Sequence, residues 1–191
     1  MSRRPDARIA IADMTVIALI GVTMLVGKTL LRMPISVSGH AGVLWTAALV
    51  IGRGVVRRPG SAVLMGAVGG MLIAVFQPSD GGFFFAVAKY VAAGAVLDIM
   101  APLVGERLDR IAPAVVAGAL AHTGKVAVDL VQGIVAGVTA PVLAAGLTAE
   151  TLLHIGFGAL GGLIGALVLR ALIRARIPQL AGIADPEADA E

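Results

Sequence analysis

Long apolar runs, separated by short breaks, set the pattern of this chain. Six runs stand out, at about 10–31, 40–53, 61–76, 83–101, 112–136 and 149–173, each too long or too uniformly apolar for a water-facing helix. The breaks hold the residues that interrupt helices. Pro34 follows the first run and Pro59-Gly60 the second. Pro78, Gly81 and Gly82 precede the fourth, Pro102 and Pro113 bracket the next connection, and Pro141 and Gly146 lie before the sixth. A helix crosses the hydrocarbon core with about 20 apolar residues. The pattern therefore predicts an all-α, polytopic membrane protein with six transmembrane helices. The second and third runs are short for that task, and charge interrupts the fifth. One domain is expected over 1–177, followed by an acidic, solvated tail over 178–191 that carries Asp185, Glu187, Asp189 and Glu191.

Composition sharpens the class. Of 191 residues, 58% are hydrophobic before 25 glycines are counted, and only 14% are charged. A soluble domain of this size needs more polar surface than that, and a disordered chain needs far more charge. A soluble enzyme and a disordered segment are both excluded. The chain has no cysteine, which removes disulfides and thiolate-ligated metals. No cleaved leader is expected, because the first run is long enough to span and no small-residue cleavage site follows it.

The net charge is +3, and its distribution points to topology rather than to nucleic acid. Arg3, Arg4 and Arg8 precede the first run; Arg53, Arg57 and Arg58 fall at the second connection; Arg107 and Arg110 fall at the fourth; Arg170, Arg174 and Arg176 end the sixth. With six spans these eleven lie on one side, against only Lys28 and Arg32 on the other. Basic residues favour the cytoplasmic side. Both termini are thus expected in the cytoplasm, with the chain in the cell membrane.

Ionisable groups inside a span cost at least about 2.5–3.5 kcal/mol each on insertion scales. This chain has several. His122, Lys125, Asp129 and Gln132 recur at helical spacing on one face of the fifth run. Lys89 and Tyr90 begin the fourth, His154 lies in the sixth, Lys28 and Arg32 end the first, and His40 and Trp45 begin the second. With chain direction alternating, all of these fall in the same half of the bundle, the outer one, whereas Asp13 and Asp98 lie near the cytoplasmic face. The convergence points to an outward-facing polar cavity for a small solute. Each residue alone has a structural reading: Lys125 and Asp129 as an i, i+4 pair, Lys28 and Arg32 as snorkelling cations, His154 as an interhelical hydrogen bonder, Trp45 as an interfacial anchor. The basic excess favours a solute with a carboxylate or phosphate, and Trp45 and Tyr90 offer faces for a flat ring.

No Gly-rich loop ending in Lys-Ser/Thr is present, so ATP hydrolysis is not expected of this chain; nor is a metal helix of the H-E-x-x-H type, and no cofactor is expected. Ser38 near Gly39, with His154 on the glycine-rich last run, leaves open an intramembrane hydrolase of rhomboid type, although such enzymes have Gly where Ser36 stands. A structural membrane subunit without ligand is the third alternative.

Several stretches together resemble a known family. They are His40-Ala41-Gly42-Val43-Leu44-Trp45, then Gly52-Arg53-Gly54-Val55-Val56-Arg57-Arg58-Pro59-Gly60-Ser61-Ala62, and Lys89-Tyr90 with Gly94 and Asp98. With the size and six runs, the chain is similar over about residues 8–175 to the substrate-binding S components of energy-coupling factor (ECF) vitamin transporters. The Arg-Arg-Pro-Gly-Ser-Ala stretch is similar to one in the type thought to carry the thiamine precursor hydroxymethylpyrimidine. The resemblance implies a high-affinity solute pocket near the outer surface, a transmembrane coupling subunit as partner, and two cytoplasmic ATPases that drive uptake. Many members dock through an A-x-x-x-A motif in helix one; here Ala10 is followed by Met14 and Ala18 by Val22, and Thr23–Gly27 has the nearest spacing.

Overall fold

The computed structural model describes residues 11–30, 40–78 and 81–175. They form six helices: α1 (Ile11–Leu30), α2 (Gly42–Val56), α3 (Ser61–Phe76), α4 (Gly82–Leu103), α5 (Ile111–Val135) and α6 (Ala140–Arg174). No strand occurs among the described residues. Four helices, α1, α4, α5 and α6, are long and apolar enough to cross a membrane. With 15 and 16 residues, α2 and α3 reach only about 22–24 Å at 1.5 Å per residue, short of a hydrocarbon core of about 30 Å. Large apolar side chains face outward all round, among them Leu19, Phe76, Phe84, Ile99, Val131 and Leu152. Polar side chains such as Arg53, His122 and His154 are buried instead. This inside-out distribution, with the four long helices, marks a membrane protein.

The short α2 is the centre of the bundle. It touches all five other helices, and 12 of its 15 residues are buried. Small residues allow this. Gly161 lies against the Val43 carbonyl and Thr46, and Gly165 lies against Val50, so one G-x-x-x-G face of α6 seats on α2. The overlapping pair Gly158 and Gly162 seats on Gly118 and Ala114 of α5. Two interleaved small-residue faces thus hold one helix against two neighbours, where a methyl group at any of the four would meet backbone or a β-branched side chain.

The apolar runs match the helices within a few residues except at one place. The sixth helix begins at Ala140, not near 149, and is continuous through Pro141 and Gly146. Pro141 is the second residue of the helix, in the first turn, where a proline lacks only an N–H that has no partner there, so it is tolerated at a helix start rather than breaking one. The true break is Gly137, with φ 75°. Similarly, Pro102 lies in the last turn of α4 and Pro113 in the first turn of α5, and the turn between them rests on Gly105 and Glu106, both at positive φ. The charged fifth run is one uninterrupted helix.

At the end of the bundle where α2 and α4 finish, Arg53 is 1% exposed. It is not a loop cation, as its place among the connection arginines implied, but sits in the last turn of α2, inside the protein. Its Nε donates to Asp98 Oδ1 at 2.8 Å, and its two terminal nitrogens donate to both oxygens of Glu106 at 2.8 and 2.7 Å. The second Asp98 oxygen accepts the Val63 N–H at 3.0 Å, serving an otherwise unpaired donor in the first turn of α3. Further pairs at this end join Arg58 to Asp13 and Arg107 to Asp109, and Arg170 donates to the Asp109 carbonyl.

Candidate functional site

The opposite end of the bundle holds the candidate site. Five helices supply it: α1 gives Lys28, α2 gives Gly42 and Trp45, α4 gives Lys89 and Tyr90, α5 gives His122, Lys125 and Asp129, and α6 gives His154. A cavity of about 130 Å³ lies among Lys28, Ala41, Gly42, Trp45, Tyr90, His122, Lys125 and His154. The helical spacing of α5 puts His122, Lys125 and Asp129 on the face that meets α4 and α6, and antiparallel packing of α4 on α5 brings Lys89 opposite Asp129.

Its ionic core is a shared carboxylate. Asp129 accepts Lys125 Nζ on one oxygen at 2.7 Å and Lys89 Nζ on the other at 2.6 Å. The simple i, i+4 pair expected on α5 is therefore part of a three-residue bridge between helices. Lys125 Nζ also lies 3.2 Å from His154 Nε2, while His154 Nδ1 lies 2.8 Å from the Glu150 carbonyl. A carbonyl only accepts, so Nδ1 carries the proton and Nε2 accepts from the ammonium; the tautomer is assigned by its partners. Asp129, Glu150 and His154 each place a ligand atom within 4.8 Å of the others. These are the atoms a metal ion would use, and the Lys125 ammonium already bonds two of them.

An aromatic wall completes the cavity. The His122 ring stacks on Trp45 with centroids 4.5 Å apart, Tyr90 meets Trp45 edge-on at 5.4 Å, and His154 meets His122 at 4.9 Å. Lys28 Nζ lies 5.8 Å from the centre of the Tyr90 ring, within cation–π range. His122 is 0% exposed, yet no side chain hydrogen-bonds either of its ring nitrogens, and the Gly42 backbone is the polar group beside them. Thr46 Oγ1, one position beyond Trp45, is buried and unpartnered. Buried polar atoms without partners are rare in native proteins and need a reason. Gly42 abuts the His122 ring so closely that a Cβ there would run into Nε2.

Of the eleven residues named from sequence, Lys28, Trp45, Tyr90, His122, Lys125 and His154 line the cavity, and Lys89 and Asp129 join it through the shared carboxylate. Gln132 diverges: its amide lies against Gly81 at the α3–α4 connection, with Oε1 buried and unpartnered. His40 is half-buried in the turn before α2 and does not line the cavity. Arg32 lies outside the described residues, as does Ser38 of the hydrolase alternative. His122 covers one flat face of Trp45, which is itself buried. Sequence reading missed Gly42 and Glu150. Glu150 stands four residues before His154, the same spacing that drew attention to Lys125 and Asp129. Gly42 had no such signal, because its role is to be absent where His122 sits.

The fold and site together define an all-helical membrane protein with a polar, aromatic-walled cavity lined by five of its helices. Searches of known proteins add no relative: no family model, no curated protein and no solved structure matches the chain.

Proposed function

We propose that this chain is a solute-binding membrane subunit of an ATP-driven importer of the ECF type, which captures a small water-soluble vitamin or related metabolite. The observation that carries this reading is His122, fully buried on the cavity wall with no side chain bonding either nitrogen. A site built only for stability would pair or replace such a group, whereas a binding site keeps it for its ligand. The polar groups converge from five helices on a cavity instead of forming one closed pair, as a binding site requires. In the full reading the chain crosses the plasma membrane six times with both termini cytoplasmic, the short α2 and α3 being accommodated by packing within the bundle. The cavity then opens outward, away from the arginine-rich end. Uptake against a gradient requires a transmembrane coupling subunit and two cytoplasmic ATPases. Binding is favoured over hydrolysis because His154 Nε2, the nitrogen a serine would need, faces the Lys125 ammonium.

Reconstitution tests this. The purified chain in liposomes should bind solute but show no ATP-dependent uptake until coupling subunits and ATPases are added. Uptake by the chain alone with ATP overturns the proposal. Cysteines placed at Thr148 and at Ser61 test the orientation: an impermeant reagent added outside intact cells should label the first and spare the second, and the reverse pattern overturns it.

A further inference from the structure

We infer that the arginine-rich end of the bundle binds the headgroup of an anionic glycerophospholipid, at the corner where α5 begins and α6 ends. This corner lies at the far end from the cavity and does not depend on what the cavity binds.

The charges at this end can be paired off one by one. Among the described residues its carboxylates are Asp13, Asp98, Glu106 and Asp109. Each already bonds an arginine: Asp13 takes Arg58, Asp98 and Glu106 share Arg53, and Asp109 takes Arg107. Arg110 and Arg174 are exposed, and neither meets a carboxylate among the described residues. Arg170 fixes where they stand. Its Nε donates to the Asp109 carbonyl at 2.8 Å, which brings the end of α6 beside the residue that precedes Arg110. Arg174 follows Arg170 by one turn on the same helix face. Three guanidinium groups from two neighbouring helices therefore gather at one corner, without a carboxylate of their own. A guanidinium offers a planar fork of donors that matches the oxygens of a phosphate.

The surface below these arginines is apolar and bare. On α6, Leu167 and Val168 are exposed within about 10 Å of Arg174 along the helix, at 1.5 Å per residue. On α5, Ile111 and Val116 are exposed within about 10 Å of Arg110 on the same scale. Basic groups at the membrane boundary, set over an apolar wall on the same two helices, match the two parts of a phospholipid. A free phosphate uses only the first part. The headgroup is anionic because a zwitterionic one brings a second cation to a corner that already holds three. Basic pockets between membrane helices bind anionic headgroups for this reason.

The test is native mass spectrometry of the purified full chain in detergent, titrated with phosphatidylglycerol, with phosphatidylcholine of the same acyl chains, or with glycerol 3-phosphate. Phosphatidylglycerol should bind at least about tenfold more tightly than phosphatidylcholine, one unit in log affinity. Glycerol 3-phosphate should bind far more weakly than either lipid. A basic side chain near an anionic surface contributes about fivefold. Arg110→Gln with Arg174→Gln should therefore lower the affinity for phosphatidylglycerol about tenfold or more and leave phosphatidylcholine unchanged. Arg3→Gln with Arg4→Gln removes the same net charge outside the described residues and should leave both affinities unchanged. Equal binding of the two lipids overturns the inference, and does so equally if the acidic residues of 178–191 serve these arginines instead. Glycerol 3-phosphate binding as tightly as phosphatidylglycerol overturns the lipid as occupant. An equal loss in both double variants overturns the corner, because net charge alone then sets the affinity. If the Arg110, Arg174 variant fails to fold, the ratio of the two lipids in the parent decides alone, and a ratio of one overturns the inference.

Discussion

The two ends of the bundle solve the same problem in opposite ways. Each places several ionisable side chains among apolar helices. At one end, all three donor nitrogens of Arg53 are matched to carboxylate oxygens of Asp98 and Glu106, and the remaining Asp98 oxygen takes a backbone N–H of α3. The charges are closed on one another, and among the described residues Ser61 Oγ is the one buried side-chain polar atom left over there. At the other end, two lysines share Asp129, the ring nitrogens of His122 bond no side chain, and a cavity runs between the groups. The first arrangement fixes helix ends against each other; the second keeps polar capacity in reserve. Membrane-buried charge is expensive in both places, so the contrast separates charge retained for architecture from charge retained for a ligand.

The largest effect should come from breaking the closed end. Arg53→Met leaves Asp98 and Glu106 without their cation and should cost about 3–5 kcal/mol of stability, by analogy with buried pairs in soluble proteins. Denaturation in detergent measures it, and the molecules that remain folded should bind solute as the parent does. A loss below about 1 kcal/mol, the value typical of a surface pair, would show that this cluster is solvated.

Next comes the shared carboxylate. Asp129→Leu exposes two ammonium groups to each other and should cost about 1.5–3 kcal/mol, the usual worth of hydrogen bonds to charged groups. Because Lys89 bonds the same carboxylate, Lys125→Met with Asp129→Leu should not restore stability; adding Lys89→Met should. Full restoration by the double variant would mean that Lys89 does not use Asp129.

Glycines give a contrast of sign. Gly42→Ala forces a methyl group into the His122 ring, with an overpacking cost of about 1–3 kcal/mol and loss of solute binding. Gly156→Ala, with open space around it in the middle of α6, should stabilise by up to about 1 kcal/mol through helix propensity and leave binding intact. The smallest effect belongs to His122→Phe, within about 1 kcal/mol of the parent, because the change removes two buried nitrogens that bond no side chain. Thermal melting beside titration reads all three.

What could be read from the sequence divides along the same line. Hydropathy located the helices because every one must present apolar surface to its surroundings. It misjudged the start of α6, where Pro141 and Gly146 look like breakers but sit in a continuous helix. The shared depth of Lys28, Trp45, Tyr90, His122, Lys125 and His154 was legible from spacing and alternating chain direction, since depth depends only on position along each helix. Azimuth does not. That Lys89 reaches Asp129, that Gln132 turns toward Gly81, and that Gly42 makes room for His122 depend on how α4, α5 and α2 rotate against one another, which no single helix encodes. Arg53 misled for a related reason. In sequence it stands four residues before Arg57-Arg58 and reads with them as a connection charge, but α2 continues past it to Val56 and turns it inward onto α4.

The central claim is that the open end is a solute site and the closed end is not. Mass spectrometry of small molecules extracted from the purified chain, run in parallel on Gly42→Ala and Arg53→Met, tests it most directly. The account predicts one small metabolite, near one per protein, in the parent and in the folded fraction of Arg53→Met, and none in Gly42→Ala. No metabolite in the parent, or the same amount retained by Gly42→Ala, would contradict it.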